Sequence, residues 1–254
     1  MLKVRWARLE NWGDALNPIL IEKLSGNPPI LVNDNPDYLC VGSVLQWATK
    51  NTIVWGTGFI AEDRRLPCQV DIRAVRGPLT RNIILGQGYK CPEVYGDPAL
   101  LYPRFYSPKT KKKYRYGIIP HYIDQKSPWL KQFEKNPDVK IINIITPAEE
   151  RHINRFVDEV NECEVILSSS LHGIILGDSL GIPSYWIELS NKVIGKGFKF
   201  HDYFASVNRP LVAPIIPNTL DRIKDISSAF HKYKIDIDLD LLYSTCPFKN
   251  KNKL

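Results

Sequence analysis

The sequence has no apolar run approaching the ~20 residues that span a membrane, although 44% of its 254 residues are apolar. Its first residues, MLKVRWARLENWGD, place charges where a secretory leader needs an unbroken apolar stretch. Cysteine is sparse. Cys40, Cys68, Cys91, Cys163 and Cys246 are odd in number and scattered, with no CxxC and no Cys/His spacing suited to zinc. Those absences argue against a disulfide scaffold and a structural metal site, and lead to the expectation of a cytoplasmic protein with no metal ligands. Short-period repeats are missing too, and low complexity is confined to one lysine-rich segment.

Charge of one sign is in slight excess, at +7. Spread over the body, that excess would suggest an anionic partner. It is instead local: KTKKKYR (109–115) carries five positive charges and the tail FKNKNKL three, together more than the whole excess. A solvated linker and tail account for such patches; the functional alternative is an anionic membrane face or a lipid diphosphate. Nucleic acid is not expected, because neither patch sits in an RNA- or DNA-binding motif.

What is present is alternation. The Pro- and Lys-rich segment YPRFYSPKTKKKYRYG divides the chain into expected domains 1–108 and 114–254, the second with a helical tail. In the first, VRWAR, ILVND, YLCVGS, TIVWGTG, DIRAVRG and EVYGDPALL read as buried strands ending in Gly or Asp. Helices are expected near Asp14, closing at Gly26, and near Pro78, closing at Gly86. In the second, YGIIPHY, VKIINII, EVILSS and PSYWIEL are strands. Between them TPAEERHINRFVDEVNEC reads as a helix with Thr146 as N-cap, Pro147 at N1 and Glu149 closing a capping box. Its Ile153, Phe156, Val157 and Val160 share one face. Strands alternating with helices predict α/β architecture: two Rossmann-like domains of parallel sheet with a cleft between them.

Two motifs mislead. GDSLG (Gly177–Gly181) matches the G-x-S-x-G of a hydrolase elbow, which needs its serine at a tight strand-to-helix turn. Ser179 lies nine residues beyond the strand EVILSSS, and Gly181-Ile-Pro183 stops a helix there; Gly177 and Gly181 are expected to pack and cap. WGTGFIAED fits G-x-G-x-x-A but follows several strands, and the next strand ends in Arg76-Gly77 without the acidic residue of a dinucleotide site. The remaining candidates share one edge. Gly13-Asp14, Gly56-Thr57-Gly58, Arg76-Gly77, Gly96-Asp97, His121 and Ser170–Gly173 all stand at carboxyl ends of expected strands, where open α/β sheets bind ligands. SLHG also opens a helix, whose amides and dipole suit an anion. NKVIGKGFKFHDYF adds Lys192, Lys196, Lys199 and His201 in a glycine-containing loop, which reads equally as anion capture or as solvated surface.

N-W-G-D, WGTG, RGPLT, GDPALL, IPHY, SSSLHG with GIP after it, and GKGFKFHDYF, in this order over roughly residues 5 to 210, resemble the polysaccharide pyruvyltransferase family. The resemblance implies a GT-B-like pair of domains, and transfer of the pyruvyl group of phosphoenolpyruvate to two hydroxyls of a sugar in bacterial surface polysaccharide biosynthesis. It implies no cofactor beyond phosphoenolpyruvate as co-substrate, and a sugar or lipid-linked oligosaccharide as acceptor; the basic linker and tail would suit such an acceptor at the inner membrane face. Many members have Arg-Leu-His-Gly where this chain has Ser170-Leu171-His172-Gly173, so another cation must hold the donor carboxylate. On this reading His172 is general acid or phosphate partner, and Asp14 and His121 contact the acceptor or act as base. Arg76 and Lys192 hold donor charge with Lys196 and Lys199 in reserve. Ser170, Leu171 and Gly173 complete the donor site, and Gly13, Gly56, Thr57 and Gly58 lie on the acceptor side. Two alternatives stay open: a GT-B nucleotide-sugar glycosyltransferase, with Glu188 holding a ribose, and a sugar-binding protein with a degenerate site.

Overall fold

The computed structural model describes residues 1–248, so the basic tail lies largely outside the described residues. The described residues form two sheets, both of parallel strands. The first contains β1 (Lys3–Val4), β2 (Ile30–Leu31), β3 (Tyr38–Leu39), β4 (Ile53–Trp55) and β5 (Asp71–Ala74), in the order β2-β1-β3-β4-β5. The second contains β6 (Tyr114–Ile119), β7 (Val139–Ile141), β8 (Cys163–Ser168) and β9 (Ser184–Trp186), in the order β7-β6-β8-β9. The helices are α1 (Trp12–Ser25), α2 (Pro78–Gly86), α3 (Glu150–Asn161), α4 (Leu171–Ser179), α5 (Phe198–Ser206), α6 (Ile223–Ile226) and α7 (Leu239–Ser244). This is the α/β architecture that the alternation predicts. Both sheets reverse their strand order once, between β1 and β3 and between β6 and β8. In doubly wound sheets such a reversal opens a crevice at the carboxyl edge.

Local chemistry explains most helix ends. Asn11 caps α1 by accepting from the Asp14 amide at 3.2 Å, and Gly26 closes it at φ 76°. Pro18, inside α1, has no N–H for the Asp14 carbonyl. The Asn17 amide donates to that carbonyl instead, at 3.2 Å, and also exchanges hydrogen bonds with the Val41 backbone at 3.2 and 3.0 Å. One side chain thus repairs the helix and pins it to the end of β3. In α3 the expected face holds: Ile153, Phe156, Val157 and Val160 are all buried.

Two expectations are corrected. α3 begins three residues late, with Glu149 as an N-cap that makes no side-chain cap bond. The Thr146 amide is taken by the Glu10 carbonyl at 2.6 Å, and the Trp12 amide donates to the Ile144 carbonyl at 2.9 Å. Pairing between the halves therefore overrides the capping box. EVYGDPALL is not a strand. After an isolated bridge from Tyr95 to Val75, Gly96 turns at φ 129° and Pro98 starts a 3₁₀ turn, Pro98–Arg104.

The same 10–12/144–146 contact joins the sheets. Trp12, fully buried, stacks on Phe156 at 5.6 Å and donates to the Ile153 carbonyl at 3.3 Å. One apolar cluster runs from Val4 and Leu16 through Ile119 and Ile174. α7 packs back against the first half, where Trp55 donates to the Leu242 carbonyl at 3.0 Å. The basic segment 109–115 is partly tied down, with Lys113 paired to Glu162 at 2.6 Å and Lys112 donating to the Cys163 carbonyl at 2.7 Å. Among the described residues no helix is long and apolar enough to cross a membrane.

Candidate active site

A cavity of about 170 Å³ lies at both strand-order reversals. Four of its wall segments follow β1, β3, β6 and β8: Asn11 and Asp14; Gly42, Ser43 and Val44; His121, Tyr122 and Ile123; Ser170, Leu171 and His172. Lys199, on the first turn of α5, and Gln46 add to its polar lining.

Asn11 caps α1 and its amide donates to the Asp14 carboxylate. Trp12 plugs into the second half. Gly13 has no side chain because a methyl group there would collide with the His172 imidazole. Asp14 faces the cavity with little access to solvent. Burial pushes its carboxyl up to about 6, against the opposing pull of His172, Asn11 and Lys199. Lys199 is pushed down to about 8 by burial and by the Arg76 charge, with Asp14 and Asp124 acting the other way. At neutral pH the cavity thus holds a carboxylate and an ammonium.

His121, half-buried, is pushed down to about 3 by burial and then by Lys199, so its ring is neutral. The Ile123 amide donates to its Nδ1 at 3.3 Å, which leaves the proton on Nε2. Its own amide donates to Ser169 Oγ at 2.8 Å, and Ser169 donates to the buried Asp124 carboxylate at 2.8 Å. Ser170 is the N-cap of α4, and the Ser168 hydroxyl supports it by accepting from its amide at 3.0 Å. His172, on the first turn of α4, sits with Nε2 3.6 Å from Asp97 Oδ2.

The structure brings together Asp14, His121, Ser170, Leu171, His172 and Lys199 on the cavity wall, with Gly13 directly behind His172. It does not bring Arg76 there. Arg76 is fully buried and donates to Asp202 at 3.0 Å, Ser43 Oγ at 2.6 Å and the Phe59 carbonyl at 2.6 Å. Asp202 also accepts from Thr80, so RGPLT and HDYF form a strut between α2 and α5. Gly56, Thr57 and Gly58 stand one layer back: a side chain on Gly56 would strike Pro98, one on Gly58 would strike Arg76, and Thr57 braces the 42–44 loop through Gly42 and Val44. Gly173 packs on Ser168 and Ile119. Lys192 and Lys196 are exposed, Lys196 beside a separate open cavity with Arg64 and His201. Glu188 lines a small recess with Ser169 and Trp186, outside the main cavity. Ser179 ends α4 and donates to the Leu176 carbonyl at 2.8 Å, as a helix-tail serine does.

Sequence reasoning missed Asn11 and Ser43 as wall residues and Asp97 as the neighbour of His172. NWGD did carry a helix-cap signal at Asn11, whereas nothing local marks Ser43. Among the described residues no group of three or more His, Cys, Asp or Glu could hold a metal ion.

Comparison with known proteins bears out the family resemblance. The family model for polysaccharide pyruvyl transferase matches residues 15–191. An uncharacterised protein of Acanthamoeba polyphaga mimivirus is 32% identical over 205 residues, covering 77% of this chain and 70% of that protein. The succinoglycan biosynthesis protein ExoV of Rhizobium meliloti is 28% identical over 222 residues, covering 81% of this chain and 65% of that protein.

Proposed function

The chain belongs to the polysaccharide pyruvyl transferase family, and from that premise we propose that it transfers the pyruvyl group of phosphoenolpyruvate to two hydroxyls of a sugar, forming a cyclic ketal. The observation that carries this reading is the convergence of Lys199, His172, Asp14 and the N-terminus of α4 on one cavity where both sheets reverse. A donor with a carboxylate and a phosphate needs a cation and helix-terminal amides, and this wall offers both.

His172 gives a proton to the methylene carbon of the donor, and the neighbouring carbon becomes the electrophile. The first sugar hydroxyl attacks it and loses its proton to Asp14, whose elevated value suits a base near neutral pH. The carbon–oxygen bond to phosphate then breaks. The second hydroxyl closes the ketal, and its proton leaves with inorganic phosphate. His121, neutral with Nε2–H, is a hydrogen-bond donor to the acceptor. Lys199, in place of Arg76 or Lys192, holds donor charge and takes over from the arginine that Ser170 lacks.

In the same proposal the two sheets are the halves of a GT-B-like pair, 1–108 facing the acceptor and 114–254 the donor, and the cavity is the base of their cleft. The acceptor is a sugar of a surface polysaccharide, in keeping with the name of the relative ExoV. If it is lipid-linked, segment 109–115 would meet the inner membrane face. The glycosyltransferase alternative loses its ribose partner, since Glu188 lies outside the cavity. The test is incubation with phosphoenolpyruvate and a panel of free and lipid-linked sugars. Acceptor mass should rise by one pyruvyl ketal with one phosphate released, and His172→Ala should slow this by about 10²–10⁴-fold. Phosphate release without an acceptor product, or turnover with UDP- or GDP-sugars instead, would overturn the proposal.

A further inference from the structure

Asp97 was expected only as a strand-end residue, yet its side chain has an unusual setting. It is fully buried, and Oδ1 accepts from the Ala99 amide at 3.0 Å, capping the 3₁₀ turn. Oδ2 has no hydrogen-bond partner among the described residues. Facing it at 3.6 Å is Nε2 of His172, which is also buried without a partner. A buried polar atom left without a partner is costly, and here two of opposite kind lie one short adjustment from a hydrogen bond. Catalytic hydrogen bonds are often long in a ligand-free site and tighten when substrate binds.

The other side of the ring completes the geometry. The Nδ1–Cε1 edge lies over Gly13, where any side chain would collide with it. Since Nε2 is sealed inside the protein, a proton exchanged with a ligand must pass through Nδ1. We propose that Asp97 is the positioning residue of His172: its Oδ2 accepts the Nε2 proton and thereby leaves Nδ1 to exchange protons with the ligand. Asp97 itself touches no substrate. The proposal rests on His172 as the acid of the transfer, but the tautomer it assigns can be read without any turnover.

The test is ¹⁵N NMR of imidazole-labelled protein, with the His172 signals assigned by their loss in His172→Gln, alongside transfer assays. In the wild-type protein the neutral His172 ring should carry its proton on Nε2. Asp97→Asn keeps Oδ1 for the Ala99 cap and turns an NH₂ toward Nε2, so the proton should move to Nδ1. Pyruvyl transfer should then fall by about 10²–10⁴-fold, with the thermal midpoint measured to report on folding. A wild-type ring protonated on Nδ1 would overturn the proposal whether or not the variant folds. So would an Asp97→Asn enzyme with an unchanged tautomer or an unchanged rate. Were the wild-type protein to transfer no pyruvyl group, the functional reading would fail while the tautomer still decided the role of Asp97.

Discussion

The two ends of α4 handle buried charge in opposite ways. At its C-terminal end Asp178 is saturated: it accepts from Arg209 at 2.7 and 2.9 Å, from Tyr203 at 2.9 Å and from Tyr233 at 2.6 Å. Arg209 in turn donates to the Ser184 carbonyl and stacks 3.6 Å from the Tyr233 ring, so that among the described residues only its Nε is left without a hydrogen-bond partner. At the N-terminal end His172 and Asp97 leave facing atoms unpartnered, and Asp14 and Lys199 share a cavity without a direct salt bridge. The first arrangement locks α5 and the 230s onto the second sheet. The second keeps bonding capacity unspent, which is what the proposed donor site requires. Arg76 with Asp202 belongs to the locked kind, which explains why a candidate for donor binding turned out to hold the halves together.

That contrast can be broken from either end. The largest effect is expected at the locked end: Asp178→Ala leaves the Arg209 charge buried and unpaired, and should lower unfolding stability in urea by about 3–5 kcal/mol. Next comes Asp14→Asn, with the opposite sign. Because burial raises the Asp14 carboxyl to about 6, the folded state binds more protons than the unfolded one between pH ~4 and ~6. Wild-type stability should fall as pH rises through that window. Asp14→Asn should abolish the slope and gain on the order of 1–3 kcal/mol at pH 7, while slowing transfer. If Asp14→Asn were destabilising at pH 7, the open end would be no different from the locked one. The smallest effect belongs to Ser179→Ala, which loses only a back-bond to Leu176 and should change stability by less than about 1 kcal/mol, with transfer unaltered. A large loss of activity there would restore the hydrolase reading of GDSLG.

Much of this was legible in the chain itself. Gly or Asp after short apolar runs marked the carboxyl edge, and SLHG after EVILSS marked a helix start on it. Strand order was not legible, because pairing between β1, β3, β6 and β8 is non-local. Ser43 therefore gave no signal until β3 proved to neighbour β1. Thr146 shows the converse, a strong local signal overruled by the Glu10 carbonyl. The three lysines of the loop differ by only a few positions, yet α5 begins at Phe198 and carries Lys199 inward while Lys192 and Lys196 stay in solvent. Spacing alone could not rank them.

On the proposed function, the open end of α4, with Lys199, binds an anionic donor. Calorimetric titration with phosphoenolpyruvate at pH 7 tests it directly. Wild-type, Lys192→Met and Lys196→Met proteins should bind alike, Lys199→Met should bind about 10–100-fold more weakly, and wild-type affinity should fall as pH rises through about 8. Unchanged binding in Lys199→Met, or a loss confined to Lys192→Met or Lys196→Met, would contradict the account.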